Sequence, residues 1–273
     1  MTRGARVGVF ASLVLGAVVV YAWRIEPFRL GVTRIDLPPD LNAALAGQRI
    51  ALISDLHIRK NWPKTKLLLD TLQRLDPDYL LIAGDMVWYE ADAGPAMEVA
   101  KQFHARKGVY AVLGDADYMG RVRNCIYCHV PGSRELRHDL PVRFLRNEAV
   151  TIADDKVTLV GLDGEDSHGW DETCRRSITP ERPSIVMVHY PQTLPFASAF
   201  HPSLILAGDT HGGQIIAPYW VYPLITQAPV KKYRYGWFYE GRTPMFVTRG
   251  VGESHIPARL ARPPEVVLME GRS

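Results

Sequence analysis

The sequence predicts an α/β protein: two packed, mixed sheets flanked by helices, with an apolar helix at the N-terminus. Three observations carry this expectation. Short uninterrupted apolar runs recur down the chain, and such runs read as strands buried on both faces. In the first half they alternate with helical spacings, which calls for right-handed crossovers and a parallel core. In the second half strands follow one another with fewer helices between them, so a second sheet is expected against the first.

The N-terminus stands apart. Val7 to Trp23 carries no charge, and Arg3 and Arg6 precede it. Those seventeen residues in a helix span about 26 Å, just short of the ~30 Å hydrocarbon core. Residues 1–25 are therefore read as a transmembrane anchor or a signal segment, since Val20-Tyr21-Ala22 also suits a small-residue cleavage site. A helix with no polar face is not expected inside a soluble core. Arg24, Arg29 and Arg34 come after the apolar run, so both flanks are basic. The signal-like layout puts the remaining domain outside the cytoplasm, on a single-pass anchor.

Residues 26–48 read as a linker and lead-in strand, punctuated by Pro38-Pro39, and residues 49–273 as the main domain. The first strand of that domain is Arg49–Ser54. Leu67, Leu68, Leu72 and Leu75 give Lys64–Leu75 a helical spacing, which Asp76-Pro77 stops. A strand at Tyr79–Ala83, a helix across Gly94 to Arg106 and a strand at Val109–Leu113 complete a β-α-β-α-β run. Ala149–Ile152 and Val157–Leu162 form a hairpin around Asp154-Asp155. Strands recur at Ser184–Val188, Leu204–Ala207, Met245–Thr248 and Val266–Leu268.

At 273 residues the chain is long for one domain, but a large sheet can accommodate it. An apolar share of 47% and a charged share of 22% are ordinary for a globular core. A net charge of +3 gives no case for nucleic acid, and none is expected as a partner. Three cysteines leave one unpaired, so no disulfide framework is indicated. Nothing in the sequence sets an oligomeric state.

The residues immediately after each apolar run are the informative ones. Ile50–Ile53 leads through Ser54 into Asp55-Leu56-His57, and Tyr79–Ala83 into Gly84-Asp85. Val109–Leu113 leads into Gly114-Asp115-Ala116-Asp117, Ile185–Val188 into His189, and Leu204–Ala207 into Gly208-Asp209-Thr210-His211. Each acid alone reads equally well as a turn or cap residue. Open α/β sheets place their chemistry at the carboxyl ends of strands. Five strands delivering Asp or His there describe a metal site.

The order of these motifs resembles that of the calcineurin-like metallophosphoesterases: Asp-x-His, Gly-Asp, Gly-Asn-His-Asp, His, Gly-His-x-His. The match covers nearly everything after Arg49, and the N-terminal apolar segment is similar to that of a membrane-anchored subgroup. The resemblance implies a four-layer α/β/β/α sandwich and a pair of divalent ions bridged by one carboxylate. It assigns Asp55, His57 and His211 to one ion, Asp115, His189 and Asp209 to the other, and the bridge to Asp85. Asp85 and Asp117, the last acid of its motif, are the implied catalytic carboxylates.

Three departures matter. Asp115 stands where the family has Asn, and Asp209 where it has His; both remain able to ligate. The family's proton-donating histidine is Ala116, which can donate nothing. Asp55, Asp85, Asp115 and Asp209 set four negative charges against +4, so the site is near neutral and draws phosphate less. Such oxygen-rich ligation favours Mn²⁺ or Mg²⁺, with Fe or Zn as alternatives. The implied function is a membrane-anchored phosphoesterase or pyrophosphatase acting through metal-activated water. The alternative is a catalytically silent metal-binding pseudoenzyme at the membrane.

Two lesser signals remain. Cys125-Ile126-Tyr127-Cys128-His129 has the spacing of covalent haem attachment, but no haem-domain pattern surrounds it. His104, His129 and His138 are candidates to replace the missing acid. Between Gln214 and Arg242 the chain is dense in aromatic and basic residues, including Tyr219, Trp220, Tyr222, Lys231, Tyr233, Trp237 and Tyr239. That stretch reads either as a cap over the sheet edge or as a membrane-facing lip admitting a lipid-linked phosphoester.

Overall fold

The structure, a computed structural model, describes residues 2–88, 93–118, 139–216 and 232–272. The Cys125–His129 motif, His138, Tyr219, Trp220, Tyr222 and Lys231 lie outside the described residues.

Two six-stranded sheets form the centre. The first contains β1 (Gly31–Ile35), β2 (Arg49–Ile53), β3 (Tyr79–Ala83), β4 (Gly108–Val112), β5 (Val142–Phe144) and β12 (Glu265–Glu270). Its order is β1-β12-β2-β3-β4-β5, parallel except where β12 meets β2. The second contains β6 (Glu148–Ile152), β7 (Val157–Gly161), β8 (Ser184–Val188), β9 (Leu204–Ala207), β10 (Gly236–Glu240) and β11 (Thr243–Val247). Its order is β10-β11-β9-β8-β7-β6, with antiparallel pairs only at its two edges.

The continuous apolar runs are explained by three cores. Ile50 and Leu52 of β2 face the space between the sheets, while Ala51 and Ile53 face outward onto α3 (Thr65–Leu75) and α4 (Gly94–Ala100). On β8, Ile185 and Met187 point inward, and Val186 and Val188 meet α5 (Trp170–Ser177) and α6 (Leu194–Ser198). Side chains alternate along a strand, so a strand covered on both faces must be apolar at every position. The result is the four-layer sandwich.

Residues 26–48 are woven into this body: β1 pairs with β12, and Leu41 and Leu45, in and after α2 (Pro39–Ala44), are fully buried between the sheets. Ahead of them runs the apolar helix α1 (Arg3–Val20), extended through a π turn at Tyr21–Ile25 and a 3₁₀ turn at Glu26–Phe28. Gly4–Phe28 is long and apolar enough to cross a membrane, and most of its side chains are exposed.

Two strands and one boundary differ from the sequence reading. β5 is three residues with Arg143 at its centre, too short for a periodic signal. β10 lies within the aromatic-basic stretch, whose described part forms a sheet edge with Trp237 and Tyr239 on its exposed face. The helix expected to reach Arg106 stops at Ala100. Beyond it, Arg106 N–H donates to Pro77 O (2.9 Å) and Lys107 N–H to Asp78 O (2.8 Å), which draws the backbone into line with β3. His104 consequently lies ahead of β4, at the opposite end of that strand from Asp115, and is no substitute for the missing acid.

Candidate metal centre

All seven ligand candidates sit just past the carboxyl ends of β2, β3, β4, β8 and β9. Their atoms form three overlapping trios, each within 4.8 Å: Asp55, His57 and His211; Asp55, Asp85 and His189; Asp115, His189 and Asp209. Asp85 offers one oxygen to each side. Its Oδ2 is 3.5 Å from His57 Nε2, and its Oδ1 is 3.5 Å from His189 Nε2. His189 Nε2 is also 3.6 Å from Asp115 Oδ1, and His211 Nε2 is 3.8 Å from Asp55 Oδ1.

The backbone is bent to achieve this. Asp55, His57, Asp85, Asp209 and His211 all have positive φ, between 47° and 71°. Non-glycine residues rarely adopt that region, and where they do, the surroundings must hold them. The holding bonds are visible. Asp55 N–H donates to Gly84 O (3.0 Å) and His57 N–H to Asp85 O (3.0 Å), continuing the β2–β3 pairing past the strand ends. Asp209 N–H donates to Asp55 Oδ1 (3.0 Å).

Asp117 is fully buried, and its carboxylate accepts the N–H groups of Asp85, Met86, Val87 and Gly114 at 2.8–3.1 Å. Those bonds spend both its oxygens on shaping the two ligand loops. Changing Asp117 to Ala leaves four buried donors unmatched and should cost about 3–5 kcal/mol of folding stability, read from urea unfolding.

The site fits cations on this structure's own terms. His189 Nδ1 bonds Ala83 O (2.8 Å), so its other nitrogen is directed at the carboxylates, and that Nε2 is buried without a hydrogen bond. His57 and His211 stack with ring centroids 5.0 Å apart and their Nε2 atoms 3.1 Å apart. Gly114 leaves the cradle open, since a Cβ there would come within 2.1 Å of Asp85 Oδ1 and 2.7 Å of His189 Nε2.

Burial and mutual charge set the protonation of these groups. Burial, with Asp85 adding to it, pushes Asp55 up to about 6. Burial opposes charge on His189, but Asp85 and Asp115 outweigh it and raise the imidazole well above its usual value. Burial likewise works against ionised Asp85, yet His189 and His57 hold its carboxyl well below the carboxylate range. Burial and the neighbouring His57 keep His211 neutral. Ligands must shed protons to bind a metal. Mn²⁺ binding should therefore release protons, and its affinity should fall as pH drops below about 6, where Asp55 takes one up. Calorimetry in two buffers of different ionisation enthalpy reads both effects.

Some partners had no sequence signal. Tyr190 packs edge-on against His189 at 4.9 Å and donates to Glu165 (2.7 Å); burial and then Asp115 keep its proton on. Fully buried Arg259 donates to the carbonyls of Arg249 and Gly252, and Gly252 O also faces His211 Nδ1 at 3.4 Å. A lone Lys or Arg in a turn-rich tail gives no hint of such burial.

Acids and imidazoles gathered at the strand ends of two sheets make this an α/β protein with a candidate metal site. Residues 48–213 match the calcineurin-like phosphoesterase family, and the chain belongs to it. The family is divalent-metal dependent. A zebrafish (Danio rerio) transmembrane protein with metallophosphoesterase domain is 27% identical over 94% of this chain and 61% of its own length. The Bos taurus protein of that name is 28% identical over 85% of this chain and 54% of its own. The chain thus spans little more than half to three-fifths of those two relatives. UDP-2,3-diacylglucosamine pyrophosphatase LpxG of Chlamydia trachomatis is 28% identical over 96% of this chain and 97% of its own length.

Proposed function

We propose that this chain is a membrane-anchored phosphoesterase with two divalent ions, hydrolysing a phosphoester or pyrophosphate bond in a lipid-linked substrate. The observation that carries the reading is Asp85, which presents one oxygen to the His57 side and the other to the His189 side of a seven-residue cluster. Asp55, His57 and His211 would hold one ion, and Asp115, His189 and Asp209 the other, with Asp85 between them. When bound, such a pair supplies a polarised phosphoryl group and an acidified attacking water. The water oxygen bonds to phosphorus as the bond to the leaving oxygen breaks, and a leaving oxygen that is strongly basic must gain a proton as it departs.

Ala116 decides which substrates are served. It is buried beside the site, and its backbone N–H donates to Asp85 Oδ1 (3.0 Å), but it carries no proton for a leaving group. Groups that depart as stable anions, such as a phosphate ester from a pyrophosphate, do not need that proton. Mn²⁺ and Mg²⁺ suit the oxygen-rich side formed by Asp115 and Asp209. The same alanine favours the second reading, a silent metal-binding protein. Turnover of an aryl phosphodiester and of a pyrophosphate with Mn²⁺ separates the two. Metal-dependent hydrolysis supports the enzyme, and bound metal without hydrolysis of either supports the silent protein.

Membrane attachment rests on the apolar Gly4–Phe28 segment, and the chain's transmembrane relatives support it; the signal-like basic lead-in of Arg3 and Arg6 supports a catalytic domain outside the cytoplasm. Removing residues 2–20 keeps the contacts of Ala22 and Glu26 with the domain and should move the protein from the membrane pellet to the supernatant in low salt. Retention in the pellet would shift the attachment to the Trp237–Tyr239 edge.

A further inference from the structure

The end of the apolar helix does not dangle from the domain. Arg259 N–H donates to Ala22 O (2.9 Å), and buried Glu26 accepts from Arg262 N–H (2.5 Å). This docking creates a pocket of about 240 Å³ with His57 on its wall. Trp23, Arg24 and Phe28 from the helix end form one side, and Arg59, Trp62 and Trp88 the other. Arg24 lies 4.7 Å over the Trp23 ring and Arg59 5.1 Å over Trp88, while Trp88 meets His57 edge-on at 6.0 Å. Lys64 also lines the pocket, but Glu253 pairs with it there.

A wall of indole and phenyl rings carrying two guanidinium groups suits a ligand that is apolar along its length and anionic at its head. Sites that enclose a whole small molecule are commonly about 300–1,000 Å³. At about 240 Å³ this pocket takes only part of its ligand. The remainder has a path outward, since Trp23, Ile25 and Phe28 are 50%, 48% and 41% exposed at the end of the apolar helix. Trp and Arg at that place are the side chains that settle at a bilayer's headgroup level.

We infer that this pocket is a lipid subsite: it holds an anionic lipid headgroup against Arg24 and Arg59 beside His57, with the chain running along Trp23 and Phe28 into the bilayer. The inference rests on the phosphoesterase reading and gives that site the direction from which substrate arrives. Helix end and metal ligand share one cavity, so a lipid would reach the site without leaving the membrane surface.

The test uses the full chain in zwitterionic lipid nanodiscs and a long-chain alkyl phosphate bearing a diazirine a few carbons from its headgroup. On illumination the label should fall on Trp62, Trp88 and Phe28. Excess unlabelled alkyl phosphate should remove it, while the matching alkyl alcohol and inorganic phosphate should not. Trp88→Ala should cut labelling about tenfold, whereas Tyr239→Ala, which is not among the lining residues, leaves it unchanged. Label confined to residues 4–20, equal competition by the alcohol, or equal competition by inorganic phosphate would each overturn the subsite. Pocket labelling without any turnover would sink the phosphoesterase reading alone. Turnover of a soluble aryl phosphodiester without pocket labelling would sink the subsite alone.

Discussion

Changing Asp85 to Asn should abolish paired metal binding and lower kcat/KM by about 10³-fold or more, since two-metal stabilisation is worth several kcal/mol. The expectation comes from its placement. Its two oxygens face the two halves of the cluster. Asparagine keeps the shape and can still accept from Ala116 N–H through its carbonyl, so the fold should persist. Metal content by atomic emission should drop from two ions per chain towards one or none, with circular dichroism unchanged. A variant that keeps both ions and full turnover would remove Asp85 from the bridging position.

Restoring the family's proton donor is the second large effect. A missing general acid costs about 10²–10⁴ in rate, and the loss grows with the basicity of the leaving oxygen. Ala116→His should therefore raise alkyl phosphoester hydrolysis by about 10²-fold and leave aryl hydrolysis within a few-fold. Asp115→Asn with Asp209→His should act on charge instead, returning positive potential to the site, tightening phosphate binding and widening metal use towards Zn²⁺. His189 Nε2 lies 3.6 Å from Asp115, so these changes share one cluster and should not add. The triple variant is the decisive sample. If it holds metal and stays inert on both substrate types, the pocket has lost more than its acid.

Much of the fold was legible because it is written locally. A strand sandwiched between two cores must be apolar throughout, and residues such as Ile50 to Ile53 state that without ambiguity. The convergence of the ligand candidates was legible for a related reason: each sits within a few residues of such a run. Positive φ at Asp55 or His211 leaves no trace in composition, because the bonds that hold it come from distant segments. Asp117 looked like a reacting acid from its motif, and only its four backbone partners show what it holds in place. Arg259, Trp88 and the helix end meet through tertiary packing alone, so no stretch of sequence could announce their pocket.

The position of β12 bears on how the molecule comes to exist. Its residues Glu265–Glu270 run between β1 and β2, parallel to one and antiparallel to the other. Until those residues leave the ribosome, that slot stands open, with unpaired edges on both sides. Residues 249–252 also wait on this strand, because Glu265 binds Arg249 and takes part in bonding Gly250, while Gly252 N–H reaches Asp55 O. The apolar helix emerges well before the strand that closes the sheet, so completion of the ligand loops is a late event in biogenesis. A nascent chain would therefore expose its apolar helix before the loops carrying its candidate ligands are complete.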